Sequence, residues 1–312
     1  MPDPSKEFPA VLRKSRNEFL DWIEGVRPDL FRYCRAATPS VWDAEDLVQE
    51  TLLQAFARLP QVFAGIRNPR AYLFRMASRI WIDRMRREGR LEPLAEGGDG
   101  VEAEAGRAAE SEVRQAASVL LRSLPPRERM AVMLKDVFGF SLDEAGEFLD
   151  TTRGAVKAAL HRARQGLQEV REGEAAAPSR PPPGEALLDA VVDAFNRKDL
   201  DALAGLFAED ASAEVVGIVQ EHGRAGIREG SLEHTLQEEG FLRAERRRYE
   251  GEPLVLLWYR GGDGAEAVGD VLRVEEREGS IRRLRYYFFC PETLKEVAGS
   301  LKLPVTTWGY RF

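Results

Sequence analysis

The sequence is poor in the residues that bind metals and form disulfides. Its 312 residues include only two cysteines, Cys34 and Cys290, and three histidines. The cysteines stand far apart and lack metal-ligand spacing, which excludes a disulfide scaffold and fits a reducing compartment. We therefore expect no metal site and no cofactor.

Long apolar runs are also lacking. The densest one, residues 254–259, is far too short to span a bilayer. The first ten residues, MPDPSKEFPA, contain no apolar stretch of the signal-peptide type. We expect a soluble, cytoplasmic protein with no membrane partner.

Charge is distributed unevenly along the chain. Residues 185–312 contain 17 basic and 24 acidic side chains and so carry the whole net charge of −7, whereas residues 1–184 contain 28 of each. Within the neutral part, residues 66–90 contain eight arginines against two acids, and residues 91–112 contain seven acids against one arginine. Such segregation allows nucleic-acid-binding surfaces in a chain whose total charge is negative.

Two segments interrupt the periodic sequence, an acidic one at 91–112 and a Pro/Ala-rich one at 172–184. They separate three blocks, 15–90, 113–171 and 185–312. The first two have helical periodicity, and strand-like patterns occur only in the third. These patterns cover residues 213–219, 254–260, 267–275 and 281–289. We predict a multidomain fold, with two all-α modules followed by an α+β module.

Residues 141–169 have the pattern of a helix-turn-helix. Ser141 and Glu144 form a capping box for a short helix that ends near Asp150, and a second helix begins at about Thr152. One face of the second helix is basic and consists of Arg153, Lys157, His161 and Arg164. Such a face suits a DNA major groove when an adjacent apolar face anchors the helix. An ordinary solvated basic face is the competing interpretation.

A second basic helix is predicted to start near Pro69. Arg75, Arg79 and Arg86 share one of its faces with Tyr72. The other side is apolar and consists of Leu73, Phe74, Ala77, Ile80 and Trp81. Cationic and aromatic side chains on one face suit a melted DNA strand, although a generic phosphate-binding helix has the same composition.

A third helix is predicted over residues 43–56, with Asp43 as its N-cap and Glu45 in its first turn, where the helix dipole favours an anion. Its outward stripe consists of Asp46, Gln49, Glu50 and Leu53. The stripe could dock another protein, but the pattern alone favours an ordinary surface helix.

Four stretches, in this order, resemble the signatures of extracytoplasmic-function (ECF) sigma factors of the sigma-70 family. They are DAEDLVQETLLQAF, AYLFRMASRIWIDRMRRE, LPPRERMAVMLKDVFGFSLDEAGEFL and GAVKAALHRAR. The resemblance covers about residues 27–170. It implies a protein that binds core RNA polymerase and promoter DNA and directs promoter recognition, DNA melting and transcription initiation without covalent chemistry of its own.

The resemblance also implies a role for each segment. The stripe on 43–56 would bind the clamp helices of the largest polymerase subunit, and 91–112 would thread the polymerase cleft as an acidic linker. Residues 113–171, sigma region 4, would read the −35 promoter element with the basic face described above and lie near the polymerase flap. Residues 15–90, sigma region 2, would read and melt the −10 element through Arg67, Asn68, Tyr72, Arg75, Arg79 and Arg86.

Two departures from the family pattern bear on promoter preference. The family often has Asn where Arg79 stands, and a Ser-Arg pair where Ala158 and Ala159 stand. The resemblance therefore implies the general role of the family and not its promoter sequence preference.

The third block resembles the SnoaL-like domains of the NTF2-like superfamily, in AFNRKDLDALAGLFAEDA and GDVLRVEEREGSIRRLRYYFF. The resemblance implies a curved sheet wrapped by helices into a cone. A subset of ECF sigma factors carries such a domain in place of a separate anti-sigma protein. We accordingly expect an intramolecular contact through which residues 185–312 tune the sigma modules in cis.

Two other functions compete with this interpretation. A polymerase-independent helix-turn-helix regulator with a ligand-binding domain would need no outward stripe on 43–56 and would usually dimerise on a palindrome. Alternatively, the last domain could be a small-molecule isomerase or hydrolase that uses His222, His234 or Asp270. We favour no catalysis, with Asp270 at the end of a strand and the histidines in a loop and on a helix surface.

Overall fold

The chain divides into two compact units, Met1–Glu174 and Ala175–Phe312, which we call the helical unit and the sheet unit. A computed structural model describes residues 23–62, 68–88, 124–169, 183–262 and 264–309. The predicted linkers lie outside the described residues, except for the last two positions of the Pro/Ala-rich one. No helix in the described part of the chain is long and apolar enough to cross a bilayer.

The described part of the helical unit is helical throughout, as predicted. Its helices are α1 (Arg27–Ala37), α2 (Val41–Val62), α3 (Pro69–Arg87), α4 (Pro126–Val132), α5 (Leu142–Phe148) and α6 (Arg153–Glu169), and a π-helical turn (Met133–Val137) extends α4.

Polar side chains set the starts of α2 and α3. The hydroxyl oxygen of Ser40 accepts the N–H of Asp43 at 3.1 Å, so Ser40 caps α2 and the predicted cap, Asp43, lies inside its first turn. The prediction was wrong because both residue types are good caps and the chain uses the earlier one. Asn68 caps α3, since its Oδ1 accepts the N–H of Ala71 at 3.0 Å. The start predicted near Pro69 is confirmed.

Helices α5 and α6 and the turn between them form the predicted helix-turn-helix. The Ser141 hydroxyl accepts the N–H of Glu144 at 3.1 Å, and the Glu144 carboxylate accepts the N–H of Ser141 at 2.8 Å. The turn needs a left-handed residue, Asp150, with φ of 51°. It also passes close to α5, because a Cβ atom at Gly146 would lie 3.0 Å from the carbonyl oxygen of Thr151. A side chain at that position would require the turn to shift by a few tenths of an ångström.

A buried ion pair joins α1 to α2. Arg27 Nη2 lies 2.5 Å from Glu45 Oε1, and both side chains are 0 % exposed. Gln49 Nε2 donates to the same oxygen at 2.7 Å. Glu45 therefore neutralises a cation from another helix, a role beyond its predicted interaction with the dipole of its own helix. Removing one partner of such a pair would leave a buried charge uncompensated.

The sheet unit has the predicted α+β architecture. Its helices are α7 (Glu185–Asn196), α8 (Leu200–Gly205), α9 (Arg224–Ile227), α10 (Glu233–Gln237) and α11 (Pro291–Ser300). Its strands are β1 (Phe207–Val215), β2 (Val219–His222), β3 (Phe241–Tyr249), β4 (Glu252–Arg260), β5 (Glu266–Arg277) and β6 (Ser280–Tyr286). They form one sheet in the order β2-β1-β6-β5-β4-β3, in which β1 and β6 are parallel and the other neighbours are antiparallel.

The sequence analysis did not predict β3, and it predicted one strand where the structure has the end of β1, a turn and the start of β2. Strand β3 is rich in arginine and contributes only Phe241 and Ala244 to the main core, so its hydrophobic signal is weak. Its Arg246 instead pairs with Asp189 of α7 at 3.2 Å. The run 213–219, predicted as one strand, is split by a turn between β1 and β2.

Aromatic rings fill one face of the sheet. The ring of Tyr259 lies 5.8 Å from that of Phe241, 5.6 Å from that of Phe288 and 6.1 Å from that of Trp308, measured between centroids. Trp308 also stacks on Phe288 at 5.5 Å. These rings serve as a packed core in the described part of the sheet unit.

Candidate nucleic-acid interface

One face of α3 collects cationic and aromatic side chains around a cavity of about 240 Å³. Its lining includes Tyr72, Arg75 and Arg79 from α3, Gln54 and Arg58 from α2, and two carboxylates, Glu50 and Asp83. The opposite face of α3 is buried in the helical unit, as its apolar pattern predicts. A pocket that offers a ring for stacking and guanidinium groups for phosphates can hold an unstacked nucleotide.

The six residues predicted to read the −10 element differ in their positions. Tyr72, Arg75 and Arg79 line the cavity. Arg86 is exposed further along the helix, and Asn68 uses its side-chain oxygen as the cap of α3. The remaining residue, Arg67, lies outside the described residues.

Two residues of the cavity, Gln54 and Arg58, were missed by the sequence analysis. They come from α2, and only the packing of α2 against α3 brings them to this face. Their position on α2 could have been a signal, because Gln54 lies about one helical turn and Arg58 about two turns beyond Glu50 of the predicted outward stripe.

The predicted docking stripe on α2 is more apolar at its end than expected. Leu53 is 69 % exposed, and Phe56, one turn further on and not predicted, is 36 % exposed. Gln49 and Glu50 are half-buried; Glu50 accepts a hydrogen bond from Arg84 of α3 at 2.8 Å. Leu53 and Phe56 therefore give the end of this helix face an exposed apolar surface.

The basic face of α6 divides into two parts. Arg153 and His161 are exposed and Lys157 is half-buried, so these three remain candidates for DNA contact. Arg164 donates to both carboxylate oxygens of Asp136 at 3.1 and 3.3 Å. It therefore braces α6 against the π-helical turn.

The apolar face of α6 is buried, as predicted. Val156, Leu160 and Ala163 are at most 5 % exposed. Ala158 and Ala159, where the family often has a Ser-Arg pair, are 2 % and 0 % exposed. In this chain both positions therefore lie on the buried side of α6, away from its exposed basic residues.

The three candidates for catalysis in the sheet unit do not form one site. Asp270 is 1 % exposed, and its Oδ1 accepts the N–H groups of Val271 at 2.7 Å and Tyr287 at 2.8 Å. His222 and His234 are exposed. Two expectations were wrong: Asp270 lies inside the buried stretch of β5, where its carboxyl oxygen accepts backbone N–H groups, and His222 ends β2, a short strand with no buried residue.

Burial raises the pKa of Asp270 well above its usual value, although the two backbone N–H groups act in the opposite direction. The unfolded chain would lose this proton from about pH 4 upward, whereas the folded chain would keep it to a higher pH. The carboxyl group therefore contributes stability that is fully present below the unfolded pKa and is lost as the pH rises towards the folded pKa.

We predict that Asp270→Asn raises the thermal unfolding midpoint relative to wild type, and more so at about pH 8 than at about pH 5. Asparagine keeps an acceptor oxygen for the two N–H groups and cannot become charged. Thermal unfolding of the full chain across this range is the measurement, and Asp193→Asn, an exposed carboxylate of α7, is the control. A midpoint difference that does not change with pH would contradict the prediction.

Profiles of three families match the chain. Sigma-70 region 2 matches residues 22–91, sigma-70 region 4 matches residues 114–167, and the SnoaL-like domain matches residues 188–284. These matches define the class of protein: two sigma-70 regions joined to a SnoaL-like domain, in the order that the resemblance predicts.

Curated relatives are similar to a large part of the chain. The ECF RNA polymerase sigma factor SigG of Mycobacterium tuberculosis (strain ATCC 25618 / H37Rv) is 33% identical in an alignment of 231 positions that covers 64% of this chain and 62% of SigG. The ECF RNA polymerase sigma factor SigD of the same strain is 31% identical in an alignment of 163 positions that covers 49% of this chain and 77% of SigD. The chain belongs to the family of ECF RNA polymerase sigma factors.

Two solved structures are similar to parts of the fold. The Mycobacterium tuberculosis sigma factor SigJ is 20% identical with a TM-score of 0.33, over 86% of this chain and 95% of that one. The sigma factor RpoE from Bartonella quintana, in complex with the anti-sigma factor NepR, is 26% identical with a TM-score of 0.38, over 49% of this chain and 95% of that one.

Proposed function

We propose that this chain is a promoter-specificity subunit that binds core RNA polymerase, reads the −35 and −10 elements and opens DNA. Family membership supports this role, and so do relatives named as RNA polymerase sigma factors. The proposed role implies a cytoplasmic protein that carries out no covalent chemistry itself.

The observation that carries the proposal is the exposed Leu53–Phe56 pair beside the acidic stripe of α2. A polymerase-independent helix-turn-helix regulator would use such a surface only for its own dimerisation. Exposed apolar side chains bordered by charges suit a protein partner, because a few buried anchors supply most of the binding energy of an interface. We assign this surface to the clamp helices of the largest polymerase subunit.

The two cationic surfaces have separate roles in the proposal. The cavity at Tyr72, Arg75 and Arg79 would take unstacked bases of the melted −10 strand, where ring stacking tolerates different bases. Arg153 and Lys157 would contact the −35 duplex from a helix in its major groove. We assign Arg164 mainly to bracing that helix and Asn68 to capping α3.

We predict that the double substitution Leu53→Ala/Phe56→Ala weakens binding to core RNA polymerase by about tenfold or more, as expected when interface anchors are truncated. The measurement is equilibrium binding of the labelled full chain to core enzyme, with circular dichroism as a check of folding. The control is Ile218→Ala, an exposed apolar residue of the sheet unit. An affinity equal to that of wild type would remove the proposed docking surface.

We predict that Lys157→Ala weakens binding to −35 duplex DNA and lowers the slope of log K against log salt concentration by about 1, because one phosphate contact is lost. Titrations at several salt concentrations measure both quantities. Lys135→Ala, which removes an exposed cation outside the helix-turn-helix, serves as the matched control. An unchanged slope for Lys157→Ala would count against contact with phosphate there.

We further propose that the sheet unit tunes the sigma activity in cis. The SnoaL-like match to 188–284 and the division of the chain after Glu174 support an added regulatory module. The predicted intramolecular contact and the predicted domain boundaries remain part of this proposal.

Removal of Ala175–Phe312 should change run-off transcription by core enzyme at least about twofold, in either direction, since a regulator must favour one of two states. The control is Asp270→Asn in the full chain, which leaves the unit in place. Equal transcript yields from the full and truncated chains would eliminate cis-regulation and leave the sigma role intact.

A further inference from the structure

Strand β5 has a stretch of edge that a later part of the chain fills. The ladder between β5 and β6 begins only at Leu272. Residues 303–308, which we call the return segment, lie along the part of β5 that comes before it. The N–H of Val268 donates to the carbonyl oxygen of Pro304 at 2.9 Å, and the N–H of Thr306 donates to the carbonyl oxygen of Val268 at 2.9 Å. The return segment therefore adds a short parallel strand to this edge. We call the edge at Val268 the notch.

The return segment ends in a ring that packs on the core. The ring of Trp308 stacks on that of Phe288, 5.5 Å between centroids, and meets the ring of Tyr259 edge-on at 6.1 Å. Gly269 makes room for the segment, because a Cβ atom there would lie 3.3 Å from Thr306 Cγ2 and 2.6 Å from Tyr259 Cδ2. The notch therefore fits an extended segment that carries tryptophan two residues after the one that contacts Gly269.

The return segment is held by few contacts. Leu303, Val305 and Trp308 are half-buried, and Lys302 and Pro304 are exposed. The indole N–H of Trp308 is buried and donates to no acceptor among the described residues, which makes its burial less favourable than the ring contacts alone. Two backbone hydrogen bonds and one ring can detach without unfolding the sheet to which they add.

A strained reversal connects the return segment to α11. The N–H of Lys302 donates to the carbonyl oxygen of Gly299 at 3.1 Å, and the N–H of Leu303 donates to that of Ala298 at 2.9 Å. This is the Schellman arrangement, whose turning residue adopts the left-handed conformation and is usually glycine. Here the turning residue is Lys302, with φ of 57°, so its side chain adds strain that glycine would avoid. Lys302 is thus the hinge at which the segment can leave its own sheet unit.

We propose that the notch is an interface between two copies of this chain, which exchange their return segments. The segment of a second copy has the sequence that already fits the notch, and a strained hinge favours exchange because the exchanged form relaxes it. Each copy then supplies Trp308 to the sheet unit of the other. The SnoaL-like match ends at residue 284, so the exchanged segment lies in a part of the chain that this match does not cover.

The first test identifies which copy fills the notch. Val268 and Val305 are bridge partners, so cysteines at these positions lie within reach of a disulfide. A full chain that carries both should close the bond within itself when dilute. Val268→Cys and Val305→Cys on separate chains, mixed at high concentration and oxidised, should give a covalent dimer that neither chain gives alone. Native Cys34 and Cys290 are buried, and Ile218→Cys, at an exposed position, mixed with Val305→Cys is the control for random collision.

The second test alters the hinge without changing the notch. Lys302→Val should lower the dimer dissociation constant of the full chain by about fivefold or more, because a β-branched residue strains the left-handed conformation further. Lys302→Gly should raise the constant by about fivefold or more, because glycine relaxes the closed monomer. Light scattering over a concentration series is the measurement. Lys295→Val, which makes the same exchange at an exposed position of α11, should leave the constant within about twofold of wild type.

Each outcome supports or overturns the exchange. A mixture without covalent dimer, while the chain with both cysteines still closes its own disulfide, overturns it and leaves the return segment a permanent part of its own sheet unit. A dissociation constant that both Lys302 variants leave unchanged also overturns it, because the copies then meet at another surface. Failure of the chain with both cysteines to close its disulfide overturns the notch itself. None of these measurements involves polymerase or DNA, so the proposed function is tested separately.

Discussion

The helical unit depends on the neutralisation of one buried cation. The Arg27–Glu45 pair, with both side chains 0 % exposed, links α1 to α2, and Gln49 shares the same carboxylate. A buried charge needs a partner of opposite charge and further hydrogen bonds. The geometry of the Arg27–Glu45 pair therefore restricts the position of α2 relative to α1. Helix α2 carries Leu53 of the candidate docking surface and Arg58 of the candidate DNA-binding cavity. The pair that positions α2 therefore also positions these two side chains.

Each candidate surface is one face of a helix whose other face is buried. Apolar residues such as Phe74 on α3 and Val156 on α6 anchor the helices. The arginine and lysine side chains on the opposite faces can then contact anionic groups at the surface. Such cations can exchange one anionic partner for another at small cost when the pairs are exposed. The Arg75–Glu147 pair, with both side chains partly exposed, is an example.

In the described part of the sheet unit, the candidate catalytic side chains do not converge on one site. Its face that contains Tyr259 is filled by rings, including Trp308 from the end of the described chain. Asp270 is isolated from the two exposed histidines and satisfies backbone N–H groups. A buried carboxyl group with a raised pKa is thus a structural acceptor in the described residues, and function has to be argued from the site.

Local chemistry in the sequence determined the helix-turn-helix, its capping box at Ser141 and the start of α3, because caps and 3.6-residue periodicity act over neighbouring residues. The motif order also indicated the family. Tertiary packing alone decided that Glu45 is buried against Arg27, that Arg58 joins the cavity, and that β3 pairs with β4 despite its arginines. It also decided that Glu147 and Asp150 meet the arginines of α3. These contacts join residues far apart in sequence, so they depend on the path of the chain, which no local pattern contains.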